Sequence, residues 1–213
     1  MDVKVLIADD HPLFRAAMRS ALTDITGPET LEAATVDDAM AMLAEHTDVE
    51  LVFLDVNMPG NDGLTGLSEI RSQFSDVLVV IVSAHEEPVL IRKAMDLGAS
   101  GYIPKSSSVE TIEAAVNQVL DGEQWLPEGF DASISVYASE EEQLIAQRLS
   151  QLTPHQLKVL RMLSDGLLNK QIAYELAISE STVKQHVSAV LKKLGVINRT
   201  KAGVVFRNLM GTE

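Results

Sequence analysis

The chain has 213 residues, 46% of them apolar and 23% charged, with no cysteine and a net charge of −14. Its length suits one domain of about 120 residues and a smaller second one, and the lack of cysteine excludes disulfides and thiolate metal sites and points to a reducing cytosol. The negative total would argue against a nucleic-acid partner, but the charge is unevenly spread. Residues 1–122 hold 7 basic and 21 acidic side chains, residues 123–151 hold 1 and 6, and residues 152–213 hold 9 and 4, so an acidic front is joined to a basic tail.

The chain starts directly on a strand-like run at residues 3–8, with no basic start followed by a long apolar stretch, so no signal peptide is expected. The longest apolar run, residues 77–82, is far short of the ~20 residues a membrane span needs. Short apolar runs at 3–8, 30–33, 51–54, 77–82 and 101–103 alternate with helical patterns at about 12–26, 36–46, 64–73, 87–97 and 108–121. Thr35 with Asp38 reads as a capping box with Asp in place of the usual Glu. Gly98 and Gly122 stop the fourth and fifth helices. Five such units make a doubly wound five-stranded parallel sheet, with chemistry expected outside the carboxyl ends of its strands.

Asp9 and Asp10 follow the first strand, Asp55 the third and Lys105 the fifth, while Ser83 closes the fourth. Carboxylates gathered at one edge repel unless a cation neutralises them, and hard oxygen donors with open positions suit Mg²⁺. A lysine and a serine at the same edge can hold phosphoryl oxygens, and a carboxylate beside such a cation can itself be phosphorylated. Any one of these residues alone reads as a solvated or capping group; the five together read as a site.

Residues 123–151 break the pattern with Pro127, Gly129, several serines and the acidic run at 140–142, and read as a linker with a short helix at about 139–150. Residues 152–210 are helical throughout. Thr153 and Pro154 open a helix as N-cap and first-turn proline, and Gly166 ends it. Further helices are predicted at 169–175, from Ser179 or Glu180 to Leu194, and at 199–209. The short turn at 177–179 gives a helix-turn-helix spacing. On the third of these helices Val183, Val187, Val190 and Leu194 form one stripe for burial.

Residues 1–122 resemble a response-regulator receiver domain. Ala-Asp-Asp-His at 8–11, Leu-Asp-Val-Asn-Met-Pro-Gly at 54–60, Ser83-Ala84 and Pro104-Lys105 carry the resemblance. It implies that Asp55 accepts phosphate from a histidine kinase and that Asp9 and Asp10 bind Mg²⁺ together with Asp55 and the Asn57 backbone carbonyl. It further implies that Lys105 pairs with the phosphate, that Ser83 turns toward it, and that Tyr102 is an aromatic switch; the same Tyr102 also reads as a half-buried strand aromatic. Met58, Pro59 and Gly60 shape the loop after Asp55. The receiver is expected to catalyse only its own phosphorylation and dephosphorylation, with Asn57 and His85 at positions that tune phosphate lifetime.

Residues 152–210 resemble the LuxR-type (NarL/FixJ) helix-turn-helix domain. The matches include Asn-Lys-Gln-Ile-Ala at 169–173, Ile-Ser-Glu-Ser-Thr-Val-Lys at 178–184, Leu-Lys-Lys-Leu-Gly-Val at 191–196 and Asn-Arg-Thr at 198–200. The resemblance makes Lys184, Gln185 and Ser188 the base-reading candidates. Lys170, Thr182, His186, Lys192, Lys193, Arg199 and Lys201 become phosphate contacts on double-stranded DNA. His155-Gln156-Leu157-Lys158 stands where the family has Arg-Glu-Arg-Glu or close to it, so Gln156 puts an internal ion pair in doubt. The last helix, with Ala202, Val205, Phe206 and Leu209, reads equally as a core stripe or a dimer interface. The expectation is a cytoplasmic regulator of transcription, a homodimer when active. Two alternatives stay open: a phosphate sink whose tail contacts protein, and an aspartate-nucleophile phosphatase. Asn57 argues against the phosphatase, because such enzymes carry a second Asp two residues after the nucleophile.

Overall fold

A computed structural model describes residues 3–26, 29–59, 63–131, 140–149 and 151–210. The chain divides into two compact units, Met1–Val136 and Tyr137–Glu213. Among the described residues no helix is long and apolar enough to cross a membrane.

The first unit is a five-stranded parallel sheet of β1 (Val5–Ala8), β2 (Thr30–Ala33), β3 (Leu51–Asp55), β4 (Leu78–Ser83) and β5 (Gly101–Pro104), in the order β2-β1-β3-β4-β5. This is the flavodoxin-like order, whose switch point lies between β1 and β3. β1 and β3 are buried at every position, as strands covered on both faces must be. Five helices connect and flank the strands: α1 (Pro12–Thr26), α2 (Val36–Glu45), α3 (Thr65–Gln73), α4 (Pro88–Asp96) and α5 (Val109–Leu120). One core joins Val5, Ile7, Phe53, Val80, Val82 and Ile103 of the sheet to Met18 and Leu22 of α1 and Ile112, Ala115, Val116 and Val119 of α5.

Thr35 caps α2 as expected, accepting from the Asp38 amide at 3.1 Å. Asp38 is too short to reach back to the capping backbone; its carboxylate instead accepts from the Thr35 hydroxyl at 2.7 Å. Beyond α5, Trp125 lies along the free edge of β5. The Tyr102 amide donates to the Trp125 carbonyl at 3.0 Å and the Trp125 amide to the Ser100 carbonyl at 3.2 Å. A Cβ on Gly101 would stand 3.2 Å from Trp125 Cβ and 3.3 Å from its carbonyl oxygen, so the absence of a side chain there allows the approach.

The second unit contains α6 (Glu140–Leu149), α7 (Pro154–Ser164), α8 (Asn169–Glu175), α9 (Glu180–Leu194) and α10 (Arg199–Met210). Its core joins Val159 and Leu163 of α7 to Ile172 of α8 and Val183 of α9, with Val187 packed against it. Thr153 caps α7 through a capping box completed by Gln156. Ala202, Phe206 and Leu209 of α10 are buried, and Gly203 lets α10 approach Ser164 of α7. Three of the four stripe residues are thus used inside the unit, while Val205 is half-buried.

Candidate functional site

Parallel register carries the strand ends to one edge of the sheet. Ala8 lies beside Leu54, Asp55 beside Val82, and Ser83 beside Pro104. The next residues along β1 and β5 are Asp9 and Lys105. Asp9 and Asp55 are each 1% exposed, a costly place for two carboxylates unless they are paired. Lys105 Nζ lies 2.6 Å from Asp9 Oδ2 and donates to Asp55 Oδ2 at 2.9 Å. It also stands over the Phe14 ring, 4.8 Å from the centroid. Burial works against the Lys105 charge, but the two carboxylates it faces, Asp9 and Asp55, outweigh it and hold the ammonium above its ordinary value.

Asp55 Oδ1 accepts from the Asn57 amide at 3.1 Å, and Asp9 Oδ1 from the His11 amide at 2.8 Å. His11 Nδ1 lies 2.6 Å from Asp10 Oδ1. Single ligand atoms of Asp9, Asp10, His11 and Asp55 fall within 4.8 Å of one another. Asp9 Oδ2 and Asp10 Oδ1 are buried and accept no well-directed hydrogen bond, despite their close basic neighbours. Buried oxygens that lack directed donors, in a cluster without thiolate, fit a hard divalent cation.

Ser83 and Tyr102 have no exposed surface. Ser83 Oγ accepts from the His85 amide at 3.0 Å, and the Tyr102 hydroxyl donates to the His85 carbonyl at 2.6 Å. One residue, His85, therefore receives both side chains. Tyr102 lies wholly inward, and burial pushes its hydroxyl up to about 12. Met58 is buried, Pro59 accepts from the Val36 amide at 3.4 Å, and Gly60 lies outside the described residues.

In the second unit α8 and α9 are joined by a tight turn in which Ala177 takes a left-handed φ of 51°. Ser179 caps α9, accepting from the Thr182 amide at 3.0 Å, with the two hydroxyls 2.8 Å apart. Lys170, Lys184, Gln185, Ser188, Lys192, Lys193 and Lys201 are exposed, while Thr182, His186 and Arg199 are half-buried. Several have internal partners. Lys184 pairs with Glu180 one turn away at 3.3 Å. His186 stacks on His155 with ring centroids 6.1 Å apart. Arg199 donates to the Leu167 carbonyl at 2.5 Å and to Asn169 at 3.4 Å. Lys193 donates to Gln156 Oε1 at 2.8 Å and to the Gln151 carbonyl at 3.0 Å. Gln156 thus meets a basic side chain through a hydrogen bond to its neutral amide rather than through an ion pair.

Three participants carried no separate signal in the sequence. His11 was visible only as the last letter of its motif. Phe14 falls within the helix expected at about 12–26 and is not singled out there. Arg148 falls in the stretch expected to be a short helix of the linker, and its guanidinium reaches the end of α9, donating to the Leu194 carbonyl at 3.1 Å.

Residues 5–117 match the response regulator receiver domain family, and residues 150–206 match the bacterial regulatory proteins of the luxR family. The chain is 43% identical over 204 residues to the glycerol metabolism activator of Pseudomonas putida, covering 93% of this chain and 92% of that protein. It is 34% identical over 202 residues to the nitrate/nitrite response regulator protein NarL of Escherichia coli K12, covering 94% and 93%. Among solved structures, RcsB, seen as two dimers bound to two parallel DNAs, superposes with a TM-score of 0.57 at 24% identity, over 98% of this chain and 99% of that one. At that identity the likeness speaks for the fold.

Proposed function

Because the chain belongs to the response regulators of two-component systems, with a receiver domain followed by a luxR-type DNA-binding domain, we propose that phosphorylation of Asp55 by a histidine kinase controls its binding to specific double-stranded DNA. The family regulates transcription and is not one of classical enzymes; here the receiver catalyses only its own phosphorylation and dephosphorylation. On this reading the receiver spans 1–122, a linker 123–151 and the DNA-binding domain 152–213.

One observation carries the proposal: Lys105 bridges two buried carboxylates, Asp9 and Asp55, in a cluster where the buried Asp9 Oδ2 and Asp10 Oδ1 accept no well-directed hydrogen bond. An Asp55 oxygen attacks the phosphorus of a phosphohistidine, the P–N bond breaks, and the imidazole leaves with the electron pair. Asp9, Asp10, Asp55 and the Asn57 carbonyl would hold Mg²⁺, which supplies charge neutralisation for the phosphoryl oxygens. Lys105 already touches the Asp55 carboxylate and donates to the new phosphoryl group from the same place. Ser83 turns its hydroxyl toward that group, and Tyr102, bonded to the same His85, registers the change. Asn57 and His85 flank the site and tune how long the phosphate lasts.

In the second domain Lys184, Gln185 and Ser188 read base edges from the exposed side of α9. Lys170, Thr182, His186, Lys192, Lys193, Arg199 and Lys201 position it on phosphates. The active form is a homodimer in the cytosol. If α10 takes part, it does so through its exposed side, where Val204 is 42% exposed, because Ala202, Phe206 and Leu209 face inward.

The test is labelling by acetyl phosphate in the presence of Mg²⁺. The wild-type chain is expected to label and Asp55→Asn not to; labelling of the variant at the wild-type level would overturn the assignment.

A further inference from the structure

We propose that α6 is a clamp on the carboxyl end of α9, and that Arg148 is its positioning residue. The inference rests on the reading of α9 as the DNA-contacting helix.

A helix ends with carbonyls that its own amides cannot reach. At the end of α9 the chain turns back through Gly195 at φ 72°, so that the Gly195 amide meets the Lys192 carbonyl at 3.3 Å and the Val196 amide meets the Leu191 carbonyl at 3.1 Å. Arg148 of α6 supplies a donor to the Leu194 carbonyl at 3.1 Å. Its guanidinium lies directly against Gly195, where an added Cβ would meet the donating nitrogen. The charge also lies where a cation is favoured, at the negative end of the helix dipole.

The grip has a second point. Lys193, on the last turn of α9, donates to the Gln151 carbonyl and to Gln156. The stretch from Arg148 to Gln156 therefore holds the last turn of α9 from two sides. α6 is itself seated by Ile145, Ala146 and Leu149, which are 2%, 3% and 4% exposed. That last turn bears Lys192, a candidate phosphate contact. α6 is also where the chain enters the second unit on its way from the receiver. Displacement of α6 from its seat would release the end of α9 and change how its lysines meet DNA.

The experiment uses the full-length chain and a duplex that the wild-type chain selects from a random-sequence library. Affinity is read across a salt series for wild type, Arg148→Met and Arg148→Lys, with amide hydrogen exchange over residues 190–196. Arg148→Met is expected to weaken binding by about three- to tenfold. It should also shallow the salt slope by about one unit as the Lys192 contact is lost, and speed exchange in the last turn of α9. Arg148→Lys keeps the charge without the fork and should fall between the two. A merely structural role would lower Tm while the folded variant kept wild-type affinity and slope, and that result overturns the clamp. If Arg148→Met does not fold, Arg148→Lys decides alone: weaker binding with a shallower slope supports the clamp, and wild-type values overturn it. A wild-type chain that selects no duplex would instead overturn the reading of α9 as a DNA helix, and the clamp with it.

Discussion

Tyr102 has no exposed surface, and its hydroxyl hydrogen is committed to the His85 carbonyl. Burial is the main cause that pushes this phenol from its ordinary value near 10 to about 12. Between those two pH values the unfolded chain has released the proton and the folded chain still holds it. Stability from this group is therefore complete below pH 10 and is lost as pH rises toward 12. Tyrosinate absorbance in an alkaline titration should show a late component that Tyr102→Phe removes. A variant curve with the same late component would assign it to another tyrosine. At Gln156 a charge change should have the opposite sign. Gln156→Glu puts a carboxylate where Lys193 already donates, and also at the third position of a helix, where a negative charge is favoured. The pair is at the surface, so the gain is expected to be roughly 0.2–1 kcal/mol and to shrink in high salt. Chemical denaturation at low and high salt measures it, and a loss of stability at low salt would contradict the geometry.

At the scale of elements, the edge of β5 makes the sharpest demand on sequence. Gly101→Ala would place a methyl 3.2 Å from Trp125 Cβ and 3.3 Å from the Trp125 carbonyl oxygen. The segment through Trp125 must then shift, straining the two backbone hydrogen bonds that tie it to Ser100 and Tyr102. A cost of about 1–3 kcal/mol is expected from such overpacking, read as a lower Tm. Trp125 is the only tryptophan, so its emission should shift to the red in the folded variant; unchanged emission and Tm would mean that the edge yields freely. The elements themselves were legible because each carries its signal locally. β3 and β4 are apolar runs, Ser179 and Thr153 are hydroxyl caps, and Asp9, Asp55 and Lys105 sit at strand ends where a parallel sheet must gather them. The pairing of Trp125 with β5 was not legible, because an edge contact has no period and depends on where the chain returns after α5. The same holds for Arg148. A charge on a short helix shows nothing in sequence of the carbonyl it meets 46 residues later, and even the linker reading of 123–151 gave no hint that Ile145, Ala146 and Leu149 would be buried.

For the whole molecule, net charge and function pull in opposite directions. The chain carries −14, yet residues 152–213 hold 9 basic and 4 acidic side chains. Binding to a polyanion depends on cations that reach phosphate and displace condensed counterions, so the local balance decides the outcome rather than the total. Log affinity for duplex DNA should therefore fall linearly with log salt, with a slope of about −0.9 for each phosphate contact. The candidate contacts are not equal, because the fold has already engaged some of them. Lys170 and Lys192 are exposed, whereas Lys193 and Arg199 donate to groups within their own unit. Lys192→Ala should thus shallow the slope by roughly one unit and weaken all sequences alike. Lys193→Ala should shallow the slope less than that, because its ammonium is shared with internal acceptors, and should also lower stability by loosening the end of α9 from Gln151 and Gln156. Lys184→Ala should leave the slope nearly unchanged and flatten the preference among sequences, at about 1–3 kcal/mol for the base it reads. Equilibrium titration of the three variants against a selected duplex and an unrelated one, each over a salt series, separates these outcomes. Equal effects of Lys192→Ala and Lys193→Ala on the slope would mean that the internal bonds of Lys193 break on DNA. A flat slope for the wild-type chain would place the basic charge of residues 152–213 away from nucleic acid altogether.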